Sequence, residues 1–135
     1  AASGMTAGSH GSTYGGNPLG CAVGLEVMKI ITNPAFLADV NRKSALLRQK
    51  LEGLVAEYPD VFESVRGAGL MLGIKCVAVN TDVVKAGHAQ HLLMVPAGDN
   101  VIRLLPPLNI PDEDIAEAVA RLEAVAQNLR TPPAA

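Results

Sequence analysis

The sequence predicts an α+β domain in which helices pack on one face of a small, largely antiparallel sheet. Three observations predict it. The 135 residues suffice for one real core. Helical periodicity dominates both ends, while the middle shows strand alternation broken by short turns. The order helices, strands, short helix, strands, helix does not alternate regularly, as a parallel α/β sheet would require.

The elements follow from local signals. Ala1 to Gly16 is small, polar and glycine-rich, with no signal long enough to pack; such an opening suggests that the chain is a piece of something longer. Asn17 is a favourable N-cap and Pro18 a favourable first helical residue, and Leu19, Val23, Val27, Ile30 and Ile31 recur at helical spacing. A helix over Pro18 to Ile31 is therefore expected. Thr32-Asn33-Pro34 repeats the start signal for a second helix. Its apolar positions include Phe36, Leu37, Val40, Leu47, Leu51, Leu54 and Val55. Arg42, Lys43, Arg48, Lys50 and Glu52 make its charged face, and Tyr58-Pro59-Asp60 ends it.

Val61 to Arg66 reads as a short strand, Gly67-Ala68-Gly69 as a turn or bulge, and Leu70 to Val79 as a longer strand with Leu70, Leu72, Ile74 and Cys76 on its apolar face. Asn80-Thr81-Asp82 should cap a short helix reaching about Leu92. Met94-Val95-Pro96 and Asn100 to Leu105 read as strands joined by Ala97-Gly98-Asp99, and Pro106-Pro107 stops the second. A last helix should run from Pro111 or Asp112 to about Leu129, with Ile115, Val119, Leu122, Val125 and Leu129 as its buried stripe. Thr131 to Ala135 reads as a frayed tail.

Composition excludes some functions. A net charge of −2 and 3% aromatic residues argue against a nucleic-acid surface, which wants a basic face or stacking platforms. Two cysteines, Cys21 and Cys76, make no disulfide framework, and both are expected to be reduced and buried. Nothing resembles a signal peptide, since no Lys or Arg precedes Lys29, and no apolar run approaches a membrane span. A cytoplasmic location is the expectation.

Several residues could carry chemistry. His10 to Pro18 places Ser12 and Thr13 in a glycine-rich loop before a helix start. That arrangement suits a phosphate, or simply closes and caps a turn. It is neither a Walker loop nor a dinucleotide fingerprint. Arg103 lies in an otherwise apolar strand. A guanidinium buried there needs a carboxylate, either a structural Asp or Glu or a substrate's own. His88 and His91, three apart on one helix face, lack further ligands at zinc spacing. Asp112, Glu113 and Asp114 suit a helix first turn, or else an acid–base pair.

The stretch HGSTYGGNPLGCAVGLEVMKII resembles the class III pyridoxal-phosphate-dependent aminotransferases, and their acetylornithine branch above all. Arg66-Gly67-Ala68-Gly69-Leu70-Met71-Leu72-Gly73, Val95-Pro96-Ala97-Gly98-Asp99-Asn100 and Arg103-Leu104-Leu105-Pro106-Pro107-Leu108 agree in order. The resemblance covers nearly the whole chain. It implies the C-terminal portion of a fold-type I enzyme: residues 1–16 from the end of the large cofactor domain, 17–32 a connecting helix, 33–130 the small domain and 131–135 a tail. It implies a homodimer in which Thr13 binds the phosphate of pyridoxal 5'-phosphate held mainly by the partner subunit, and Ser12 lies against the substrate. Arg103 would bind the α-carboxylate of glutamate or 2-oxoglutarate, with N-acetylornithine or a related diamine as amino donor in arginine biosynthesis. Gly67 and Gly69 would let the chain bend close to the substrate pocket.

There are departures. The family's Schiff-base lysine has no counterpart, so no catalytic residue is assigned and the chain alone should be inactive. Gly20 stands where Ala is usual, and the glycine often found before the leucines of His91-Leu92-Leu93-Met94 is missing. The missing lysine leaves a second reading, a non-catalytic α+β module that binds a carboxylate or mediates association.

Overall fold

A computed structural model describes residues 2–130; the expected tail over 131–135 lies outside the described residues. The chain divides into two compact units, one through Leu37 and one from Ala38, and the division falls inside a helix.

In the first unit a single 3-10 turn, Ala2–Gly4, precedes the loop, and α1 spans Pro18–Ile31. Asn17 caps α1 as expected: its Oδ1 accepts from the Gly20 N–H at 2.7 Å, and Pro18 follows it. No residue of α1 is buried. Cys21 is therefore exposed, against the expectation that both thiols are buried.

The helix α2, Pro34–Glu57, starts at the second Asn-Pro pair and stops before Tyr58-Pro59. It buries Leu47, Leu51 and Leu54. Phe36, Val40 and Val55 are only partly buried, and Leu37 is exposed. Lys43 departs from the expected charged face, being 8% exposed. Its stem covers apolar surface while Nζ meets Asp39 at 2.7 Å.

Strands β1 (Phe62–Ala68), β2 (Met71–Cys76), β3 (Val95–Ala97) and β4 (Val101–Leu104) form one antiparallel sheet in the order β1-β2-β4-β3. Two strand boundaries differ from the sequence reading by more than one residue. Gly67 and Ala68 belong to β1, so the hairpin turn is Gly69-Leu70. The strand β2 ends at Cys76, not Val79, because Asn100 Nδ2 takes the Cys76 and Ala78 carbonyl oxygens at 2.7 and 2.9 Å and ends the ladder there.

Helix α3, Asn80–Ala89, follows. Asn80 does not cap it. Its side chain instead donates to Ala97 O and Val101 O at 2.9 and 3.0 Å, and no side chain caps the helix from Val79. The helix also stops short of Leu92, because His91 turns left-handed (φ 55°) and Arg121 Nη1 takes the Gln90 and His91 carbonyls, each at 2.8 Å. The β3–β4 turn bends left-handed at Asp99 (φ 58°) and Asn100 (φ 53°), not at Gly98; these side chains tolerate that region best after glycine. Helix α4, Asp112–Arg130, ends the described chain.

The strand alternation decides where the core lies. Leu72, Ile74 and Cys76 of β2 and Ile102 and Leu104 of β4 face one side. There they join Leu47, Leu51 and Leu54 of α2, Val83 and Val84 of α3, and Ile115, Leu122, Val125 and Ala126 of α4 in one cluster. Val119 and Leu129, expected in that stripe, pack partly buried against it. Helices thus cover one face of the sheet, and the opposite face carries the polar side chains.

Candidate functional site

The loop of the first unit is built from local hydrogen bonds. Ser12 Oγ accepts from the Gly15 N–H at 2.9 Å, which closes the turn. The Tyr14 carbonyl accepts from Asn17 Nδ2 at 2.6 Å and from the Asn17 N–H at 3.3 Å. Gly16 is left-handed (φ 74°), as only a residue without a Cβ adopts readily before a helix start. The Ser12 hydroxyl keeps its proton to donate. Thr13 is exposed, and its hydroxyl has no hydrogen-bond partner among the described residues. An unengaged hydroxyl beside a capped helix start is a donor set that fits a phosphate oxygen.

Arg103 belongs to the second unit, on β4. Register places it opposite Gly73 on one side and Val95 on the other, on the sheet face away from the core. It is exposed, not buried as its apolar neighbours suggested, because strand alternation turns it away from Ile102 and Leu104. The other five arginines are all engaged. Arg42 holds Asp112 through two bonds of 2.8 Å, Arg48 donates to Gly67 O at 2.7 Å, and Arg66 meets Asp99 at 2.8 Å. Arg121 caps α3, and Arg130 meets Asp60 at 2.7 Å. Among the described residues Arg103 alone has no hydrogen-bond or ion-pair partner.

The same outer face holds a cluster that sequence reading missed. Lys75 Nζ meets Asp99 Oδ1 at 2.5 Å and its carbonyl oxygen at 2.6 Å, beside the Arg66 contact. Lys75 and Arg66 together hold the Asp99 carboxyl below its usual range. The signal was present in the alternation of Arg66 and Lys75 with apolar residues, but only the strand register brings them to one turn.

Gly67 (φ 116°) lies where an added Cβ would collide with the Met71 carbonyl oxygen. Together with Gly69 it forms a tight hairpin end whose carbonyls are held by Arg48 and by Ser44 Oγ at 2.7 Å. His88 and His91 do not share a helix face, since His91 lies past the end of α3. Among the described residues no group of three His, Cys, Asp or Glu side chains could hold a metal ion. In the acidic first turn of α4, Asp112 serves Arg42, which lowers its pKa. Burial pushes the Cys76 thiol up to about 11, so it stays protonated at neutral pH.

Residues 2–126 match the family described as Aminotransferase class-III. The chain belongs to the class III aminotransferases. Among the chain's relatives, the acetylornithine aminotransferase of Rhodobacter capsulatus is 63% identical over 99% of the chain and 34% of the relative. The mitochondrial acetylornithine aminotransferase of Saccharomyces cerevisiae is 41% identical over 88% of the chain and 28% of the relative. The crystal structure of N-acetylornithine aminotransferase from Stenotrophomonas maltophilia superposes with a TM-score of 0.78 at 34% identity, covering 85% of this chain and 32% of that one. The ornithine aminotransferase of Toxoplasma gondii gives 0.79 at 29% identity, over 93% and 31%. The chain thus spans about a third of the length of the curated relatives it matches.

Proposed function

We propose that this chain works as the C-terminal part of a longer, homodimeric, cytoplasmic aminotransferase that moves an amino group between N-acetylornithine or a related diamine and 2-oxoglutarate, in arginine biosynthesis. The observation that carries the reading is Arg103. Among the described residues it is a guanidinium without a partner while the other arginines are all engaged, and such a fork suits a bidentate substrate carboxylate. The relatives' names support the choice of amino donor.

Each residue has a defined task in this reading. Arg103 binds and orients the α-carboxylate of glutamate or 2-oxoglutarate. Thr13 donates its free hydroxyl to the cofactor phosphate in the partner subunit's site. Ser12, whose oxygen already accepts from Gly15, donates its proton toward the substrate. Pyridoxal 5'-phosphate, when bound, supplies the electron sink for amino transfer. In the family the Schiff-base lysine lies upstream of the loop that Ser12 and Thr13 match, whereas the first lysine here is Lys29, inside α1; in this reading the covalent anchor for the cofactor comes from outside this chain, and the chain alone should be inactive.

The test is the full reading frame and its product. The frame should continue upstream through a lysine-bearing cofactor domain, and the purified protein should turn over N-acetylornithine with 2-oxoglutarate. Arg103→Lys in that protein should raise the KM for 2-oxoglutarate about tenfold, the loss of one charge-assisted hydrogen bond. A frame without such a domain, or an unchanged KM, overturns the reading.

A further inference from the structure

The outer face of the sheet carries more positive charge than one carboxylate needs, and Asp99 governs how that charge is shared. Arg66, Gly73 and Arg103 stand in one cross-strand row, so two arginines flank one glycine. Strand spacing puts their Cα atoms roughly 10 Å apart, a gap that two long side chains can close around one small anion. A Cβ at Gly73 would lie 2.8 Å from Val101 Cγ1 and 3.7 Å from Arg66 Cγ, so only glycine leaves the backbone between the arginines bare.

Arg66 is nevertheless withheld. Its Nη1 meets Asp99 Oδ2 at 2.8 Å, while Lys75 Nζ holds Asp99 Oδ1 at 2.5 Å. Asp99 is itself fixed by its left-handed turn and by its neighbour Asn100, whose Oδ1 accepts from the Asn80 N–H at 2.8 Å. One carboxylate therefore occupies two of the three cations.

We infer that Asp99 sets the anion specificity of the Arg103 site: by holding Arg66 it leaves, among the described residues, a single free guanidinium on this face, which matches a monoanionic carboxylate better than a dianion. The inference rests on Arg103 being the carboxylate-binding residue proposed above. Asp99 acts through Arg66, as a positioning residue.

The test uses the full-length holoenzyme and two competitive inhibitors against 2-oxoglutarate: butanoate, a monoanion, and propyl phosphate, a dianion at neutral pH. Asp99→Asn should shift the ratio of inhibition constants toward propyl phosphate by about fivefold, the upper range for one exposed ion pair. Adding Arg66→Met to Asp99→Asn should restore the original ratio. A merely structural role for Asp99 would weaken both inhibitors alike, and an unchanged ratio overturns the inference. Arg66→Met alone should leave the ratio unmoved, which keeps the test open even if Asp99→Asn fails to fold; a preferential loss of propyl phosphate there shows Arg66 already engaged and overturns it. If Arg103→Lys alters neither inhibitor nor the KM, the Arg103 reading falls and this one with it. If Arg103→Lys acts and Asp99→Asn leaves the ratio alone, only the role of Asp99 falls.

Discussion

Helices α1 and α4 are both amphipathic by sequence, yet Leu19 and Val23 of α1 are 75% and 54% exposed while Ile115 and Leu122 of α4 are at most 1% exposed. Both helices start where local chemistry says they should, α1 at Asn17-Pro18 and α4 at Pro111-Asp112. The difference is what the rest of the chain offers. From Ala38 onward, three helices share the apolar face of a four-stranded sheet. Through Leu37 there is one helix, a glycine-rich loop, and no buried side chain in that helix. Local rules therefore decide that a helix forms, and tertiary partners decide whether its apolar stripe is used.

The strongest way to break this comparison is a cavity in the second unit. Leu51 is fully buried among the other core side chains. Leu51→Ala in the chain should cost about 2–5 kcal/mol, the usual loss for deleting a buried aliphatic side chain where the surroundings only partly collapse. Denaturant titration measures it. A loss below about 1 kcal/mol would mean that the sheet domain is not a cooperative core.

What could be read beforehand follows the same division. The starts of α1, α2 and α4, the stop before Tyr58-Pro59, the antiparallel hairpins and the stripe of α4 were legible, because capping and periodicity are local; the Asn80 side chain, expected to cap α3, is taken by Ala97 O and Val101 O instead. Strand ends were not: β2 stops at Cys76 because of Asn100, a residue 24 positions away. The exposure of Cys21 and of Arg103 was misjudged for a related reason. Apolar neighbours in sequence suggested burial, whereas α1 buries nothing and strand alternation turns Arg103 outward. Thr13 and Arg103 could be singled out by residue type and setting. The Asp99 cluster could not, since it exists only once β1, β2 and the β3–β4 turn are in register.

Thr13 sharpens the comparison, because an exposed loop residue should matter to a ligand and not to the fold. In the proposed full-length enzyme, Thr13→Ala should weaken cofactor retention by about 1.5–3 kcal/mol, the worth of one hydrogen bond to a charged group, with no change in melting midpoint. Cofactor titration of the apoenzyme checks the first half and thermal unfolding the second. Unaltered affinity would return the loop to its plain role as a turn.

The two cysteines extend the contrast to pH. Cys76 is buried and its thiol is pushed up from 9.0 to about 11, whereas Cys21 is exposed. A raised thiol pKa in the folded state means that unfolding is favoured once the unfolded thiol ionises. This contribution is complete below pH 9 and is lost as pH rises toward 11, amounting to at most about 3 kcal/mol at 1.4 kcal/mol per pH unit. Cys76→Ala should flatten the decline in stability over that window. A slope equal to the parent's would contradict the assignment. A thiol reagent at neutral pH should likewise label Cys21 and spare Cys76.

The smallest expected effect bears most directly on the comparison. Val23 lies mid-helix in α1, is half exposed, and belongs to an apolar stripe that covers no core. Val23→Ala in the chain removes no buried surface, and Ala is the better helix former by about 0.6 kcal/mol. The unfolding free energy read by denaturant titration should therefore stay level or rise by up to about 0.6 kcal/mol, in contrast to the loss at Leu51. If Val23→Ala instead costs more than about 1 kcal/mol, the stripe is already buried in solution. The distinction between a helix that merely forms and one that packs would then have to be redrawn. Because both outcomes are read on the same chain by the same titration, Val23 and Leu51 measure one quantity: how much apolar periodicity is worth with and without a surface to meet it.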